Sequence, residues 1–210
     1  MFYIVGLGNP GAEYENTRHN TGWILLEHLR ATFKFPEWEE DKKLNARVSE
    51  GKIGKVSVSF ILPETFMNNS GRSVAPLVKS KKAAEQLVVI HDDLDIPFGS
   101  VKFSFNKSSG GHRGVDSIVK AVKTEAFIRF RIGISPSSSF PKGGARFGEG
   151  GGFKLKKPKG EAAVSKHILG KFSSAELATL KKISQKIGDA LATLVADGRE
   201  KAMSQFQGQL

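Results

Sequence analysis

The opening stretch MFYIVGLGNPGAEYENTRHNTG, Met1 to Gly22, decides the fold. Residues 2–7 are short, apolar and rich in β-branched and aromatic side chains, and they stop at a cluster of Gly, Asn and Pro. That pattern predicts a buried strand and an immediate turn. A polar connection holding Arg18, His19 and Asn20 follows, and an apolar helical period then begins at Trp23, Leu25, Leu26 and Leu29, predicting a helix over about 20–33. Strand, turn and helix in this order set Asn9, His19 and Asn20 at the carboxyl edge of a first strand, where open α/β sheets place their ligands.

The same grammar recurs downstream. Residues 87–90, Leu-Val-Val-Ile, form a second fully apolar run that delivers His91, Asp92, Asp93 and Asp95 at its end. Between the two, residues 44–50 and 55–62 alternate apolar and polar around a turn at 51–54, which predicts a hairpin. Pro63 and the Asn, Ser and Gly residues after it break the strand, and a helix through Val74, Leu77 and Val78 is expected to start near Ser70. A strand over 101–105, a Gly-rich loop over 106–114, a helix over about 115–122 and a strand over 130–135 follow. The last helix opens on the capping box Ser173 and Glu176, buries Leu177, Leu180, Ile183, Ile187, Leu191 and Leu194, and stops at Gly198. Strands separated by helices over 210 residues predict one α/β domain spanning 1–210: a twisted mixed sheet with a parallel centre and antiparallel pieces at the side, flanked by helices.

Composition narrows the chemistry. The absence of cysteine excludes disulfides, thiolate metal sites and a cysteine nucleophile. No apolar run is long enough to span a membrane. The chain enters its first strand without a secretory or transit-type segment, so a cytoplasmic location is expected. The formal charge of +11 fits a polyanionic partner such as nucleic acid, although solubility alone is the competing explanation. Part of that charge lies in a Gly-rich, Lys-rich segment at about 136–163, either an arm for phosphates or a solvated insertion.

Three constellations compete for the chemistry. Gly6, Gly8 and Gly11 have the spacing of a dinucleotide-binding turn, but Pro10 and a long polar connection separate them from the helix that should hold pyrophosphate. His91, Asp92, Asp93 and Asp95 resemble a hard-cation cluster, yet successive residues leaving a strand point to opposite sides, and Asp93 or Asp95 can equally cap a turn at Pro97. His19 is the third. It is bracketed by polar groups, titrates near neutrality, and can take a proton from water if a carboxylate orients its ring. Asp92 is the candidate carboxylate, and Asn9, Asn20 and Asn68 are uncharged amides collected at the same strand ends. His112, among glycines, is a candidate phosphate contact; His28 and His167 read as structural or solvated.

The stretches Val5-Gly-Leu-Gly-Asn-Pro-Gly11, Tyr14, Thr17-Arg-His-Asn20, Thr65-Phe-Met-Asn68 with Ser70-Gly71, His91-Asp92 with Leu94-Asp95, Gly110-Gly-His112 with Gly114, and Phe130-Arg-Ile-Gly-Ile134, taken together and in this order, resemble the bacterial-type peptidyl-tRNA hydrolases. The resemblance implies a monomeric α/β enzyme without metal or cofactor that cleaves the ester between a peptide and the terminal ribose of tRNA. It places His19 on the family's general base and Asp92 on its partner. Asn9 and Asn68 fall on substrate-holding amides, with Tyr14, Asn20 and Met67 beside them. Arg131 falls on a cation that grips the terminal phosphate of the tRNA. The usual lysine companion falls on Ser104, so Lys102 and Lys107 are the expected substitutes.

One departure stands out. The family usually carries asparagine after Gly-Gly-His, and this chain carries Arg113. Turned inward, its charge would lower the His19 pKa; turned outward, it would add a phosphate contact. A non-catalytic RNA-binding relative of the same fold is therefore the alternative function.

Overall fold

The computed structural model describes residues 1–136 and 157–206 of the chain. Residues 137–156, most of the Gly-rich basic segment, lie outside the described residues.

Chain order runs β1 (Phe2–Gly6), α1 (Thr21–Thr32), β2 (Glu39–Asp41), β3 (Ala46–Ile53), β4 (Val56–Pro63), α2 (Gly71–Val74), α3 (Lys81–Ala84), β5 (Leu87–Pro97), β6 (Val101–Phe105), α4 (Arg113–Val122), β7 (Ile128–Ser135), α5 (Glu161–Ile168), α6 (Ser174–Asp197) and α7 (Arg199–Phe206). The strands form one sheet in the order β2-β3-β4-β1-β5-β7-β6. β4, β1, β5 and β7 are mutually parallel, and β2, β3 and β6 add antiparallel edges. This is the mixed sheet with a parallel centre that the alternation of strands and helices predicts.

Alternation along the central strands builds two cores. Ile4, Phe60, Val88, Ile90, Ile128 and Phe130 face α1 and α6, whose Leu25, Leu26, Leu29, Ile187 and Leu191 cover them. Val5, Ile61, Leu87 and Val89 face the other way, against Val74 of α2 and Val115 and Ile118 of α4. Central parallel strands need both faces covered, which is why β1 and the first four residues of β5 read as apolar runs. β1 lies between β4 and β5, which the chain reaches on opposite sides, so its carboxyl end is the switch point of the sheet.

Boundaries differ from expectation in instructive places. Gly51 belongs to β3 rather than to the hairpin turn: a Cβ there would come within 2.7 Å of the Phe35 ring, so this glycine serves a close approach. β5 continues through His91, Asp92 and Asp93, which therefore project from a paired strand and not from a loop. The charged residues Glu39–Asp41 form the short edge strand β2, and α5 begins inside the stretch read as low complexity. The capping box is present, with Ser173 Oγ accepting from the Glu176 backbone and Glu176 accepting from the Ser173 backbone.

Candidate active site

Close packing at the switch point brings His19 to Asp92. Gly22, in the first turn of α1, lies so near the sheet that a Cβ would come within 2.3 Å of Leu7 N and 2.4 Å of Ile90 O. The short 3-10 turn Arg18–Asn20 therefore sits directly over the carboxyl ends of β1 and β5. His19 Nδ1 is 3.0 Å from Asp92 Oδ2 and 3.1 Å from Oδ1, with both residues buried. A second ring meets the same carboxylate: His112 Nε2 is 3.0 Å from Asp92 Oδ1.

Tautomers follow from the partners. His112 precedes α4 and caps it with its ring, Nδ1 accepting from the backbone N–H groups of Gly114 at 3.2 Å and Val115 at 3.3 Å. An accepting Nδ1 carries no proton, so a neutral His112 bears its proton on Nε2 and donates it to Asp92. An ionised Asp92 only accepts, so His19 donates from Nδ1 and keeps its lone pair on Nε2. Burial opposes the charge on Asp92, but His19 and His112 outweigh it and hold the carboxyl well below the ordinary carboxylate range. Burial pulls His19 down as well, and the Asp92 charge and hydrogen bond more than restore it, leaving the imidazole above its ordinary value; Arg113 acts in the lowering direction.

His19, Asp92 and His112 also form a set of three groups close enough to share a cation. The donor chemistry does not suit one. A metal at His112 Nε2 would force the ring proton onto Nδ1, where it would face the two backbone N–H groups that Nδ1 now accepts.

Asparagines organise the opposite wall. Asn20 accepts from Asn9 N through Oδ1 and donates from Nδ2 to Asn9 O, both at 2.9 Å, clamping the turn after β1. The Asn9 side chain then accepts from Met67 N at 2.8 Å through Oδ1, which leaves Nδ2 as the other end of an amide that lines the cleft. Asn20 thus acts on Asn9 rather than on the cleft itself. Met67 is buried, with its sulfur against Gly114, where a Cβ would come within 2.4 Å. Asn68 is exposed at the rim, and Tyr14 lies edge-on to Phe66 at 6.4 Å between centroids. Asn9, Tyr14, His19, Met67, Asn68, Asp92, His112 and Arg113 all line one cavity of about 800 Å³.

Of the expected cations, Arg113 is at the cavity rim and the others lie elsewhere. Arg131 donates from Nε to Asp93 Oδ2 at 2.7 Å, and Lys102 is its direct partner across the β6–β7 ladder. By register these residues share a sheet face with His91 and Asp93, opposite to Asp92. The Lys107 side chain is exposed. Arg113 turns toward α5 and pairs with Glu161 at 2.8 Å, both largely exposed.

A family model for peptidyl-tRNA hydrolases matches residues 3–210. The chain belongs to the peptidyl-tRNA hydrolase family. A peptidyl-tRNA hydrolase of Herpetosiphon aurantiacus is 36% identical over 213 residues, covering 100% of this chain and 91% of the relative. That of Aquifex aeolicus is 36% identical over 205 residues, covering 95% and 93%. The crystal structure of the Acinetobacter baumannii peptidyl-tRNA hydrolase superposes with a TM-score of 0.78 at 31% identity, covering 99% of this chain and 94% of that one. This family member is accordingly a carboxylic ester hydrolase acting on peptidyl-tRNA. Sequence reasoning overlooked two of its structural parts: His112 as a second ring on Asp92, and Asn20 as the clamp of Asn9. The Gly-Gly-His run before a helix was the available signal for the first.

Proposed function

We propose that His19 is the general base of this peptidyl-tRNA hydrolase and Asp92 its orienting carboxylate. The observation that carries this is the fixed direction of the His19 ring, with Nδ1 tied to Asp92 and the lone pair of Nε2 left for the cleft. Nε2 takes a proton from water as the water oxygen attacks the ester carbonyl. The imidazolium, stabilised by Asp92, then returns that proton to the ribose oxygen as the acyl–oxygen bond breaks. Asn9 Nδ2 and the Asn68 amide are placed to donate to the carbonyl oxygen and the peptide backbone, adding no charge beside the base.

Tyr14 and Met67 serve as walls for the peptide, Asn20 holds Asn9 in place, and Arg113 acts from the rim. Arg131, with Lys102 and Lys107, is the candidate grip on a terminal phosphate, competing with Asp93 for the Arg131 guanidinium. The proposal needs neither metal nor cofactor and places a monomer of one domain in the cytoplasm. Its test is hydrolysis of a peptidyl-tRNA analogue by the parent and by His19→Ala. A loss of about 10³-fold or more in kcat/KM is expected; a variant retaining a tenth of the activity would overturn the assignment.

A further inference from the structure

Arg129 has no part in the mechanism above, yet it is the largest fully buried side chain of the described residues, 1% exposed on β7. Its Nη2 donates to the carbonyls of Lys107 at 2.7 Å and Ser108 at 2.8 Å. Its Nε and Nη1 are buried with no hydrogen-bond partner among the described residues. A guanidinium in such a place is a poor choice for stability, because an apolar side chain of similar volume avoids the cost of burying an incompletely paired cation.

What the guanidinium does hold is the root of the loop that leads to His112. Beyond Ser108 the chain turns through Gly110 and Gly111, both at positive φ, and a Cβ at either would meet nothing within 4 Å. Neither glycine is kept for a close approach, so its positive φ is what the turn requires. Among the described residues the turn is closed by bonds to Ser109, its Oγ accepting from Gly111 N at 3.1 Å and its carbonyl from His112 N at 3.3 Å. His112 emerges from this turn with its ring against Asp92, and the His91 ring lies edge-on to it at 4.7 Å.

We propose that Arg129 is a positioning residue for the hydrolysis: by holding the Lys107 and Ser108 carbonyls it fixes the root of the glycine turn that delivers the His112 ring to Asp92. The proposal rests on the assignment of His19 and Asp92 as base and orienter. Arg129→Met and Arg129→Lys test it, with three measurements on each: thermal unfolding, steady-state hydrolysis of a peptidyl-tRNA analogue, and nitrogen-15 spectra of the histidine rings. In Arg129→Met, kcat falls by about tenfold or more while KM changes by less than about twofold, the pattern of a misplaced catalytic group. The His112 ring signals change from a single Nε2–H form to an averaged mixture, and Arg129→Lys recovers part of both effects.

A role in stability alone would lower the melting temperature and leave the His112 signals as in the parent, which overturns the proposal. If Arg129→Met does not fold, the ring spectrum of Arg129→Lys decides by the same criterion. Disturbed His112 signals with full turnover would overturn the proposal and leave the base-and-orienter assignment standing, since His19 meets Asp92 through its own contact and is tested separately by His19→Ala.

Discussion

Two sides of one strand do opposite things in this molecule. At the carboxyl end of β5, Asp92 projects toward α1 and meets two imidazoles, while His91 and Asp93 project toward α4 and face the arginines of β7. Adjacent carboxylates thus receive different partners purely because successive side chains of a strand alternate. Paired with imidazoles, Asp92 tunes a group that titrates near neutrality. Paired with Arg131, Asp93 instead meets a guanidinium fork. The pleat separates an imidazole-bound carboxylate from a guanidinium-bound one by a single step along the strand, and it sets the Arg131 guanidinium on the sheet face opposite to the Asp92 carboxylate.

The largest effect should come from breaking the imidazole side. Asp92→Asn removes the groups that raise His19 and orient its ring, so turnover should fall by about 10³-fold. The sign of the pH effect is fixed by the same causes. With Asp92 gone, burial and, more weakly, the Arg113 charge are left acting on His19 and its pKa falls, so the acid limb of kcat/KM should move to lower pH even as the plateau drops. A pH profile that keeps its midpoint would show that some other group titrates.

His112→Ala comes next, since it removes one of two rings from Asp92 and the cap of α4 together. A fall of about tenfold in kcat is expected, with about 1 kcal/mol lost from folding as the orphaned N–H groups at the helix start lose their acceptor. Denaturant unfolding beside kinetics separates the two, and an unchanged kcat would reduce His112 to a capping residue.

On the arginine side, Arg131→Met should leave the pH profile in place and act on binding. Removing a phosphate contact lowers the slope of log affinity against log salt by about one. Unchanged salt dependence in a tRNA-binding titration would assign Arg131 to Asp93 alone. Lys102→Met, on the neighbouring strand, offers the same readout without disturbing that ion pair.

The comparison also explains what was legible in the residues. The buried stretches of β1 and β5, residues 4–6 and 87–90, announce themselves as apolar because both faces are covered, and the capping box of α6 is a local signal that needs no tertiary context. The partition of His91, Asp92 and Asp93 was only half visible, because it depends on β5 staying paired with β7 beyond the apolar run, a tertiary fact with no mark in the sequence. Asn20 looked like a substrate contact because its type and place suited one; only the fold shows its amide spent on the backbone of Asn9. Gly51 misled in the opposite sense, a glycine kept for the Phe35 ring and not for a turn.

Arg113 supplies the smallest and most discriminating effect, because it is a cation on the imidazole side of the boundary. It is turned outward to Glu161, yet its charge still acts to lower His19. Arg113→Asn removes that influence, so the His19 pKa should rise and the acid limb of kcat/KM should move to higher pH by a fraction of a unit, within the range expected for an exposed charge in water. Added salt should mimic the substitution in the parent and do little in the variant, since screening and removal cancel the same field. Glu161→Gln should act in the opposite direction, freeing the Arg113 charge and moving the limb to lower pH. Limbs that coincide in all three proteins at low salt would mean that the rim ion pair is electrically silent at the base, and that the segregation of cations from His19 is complete.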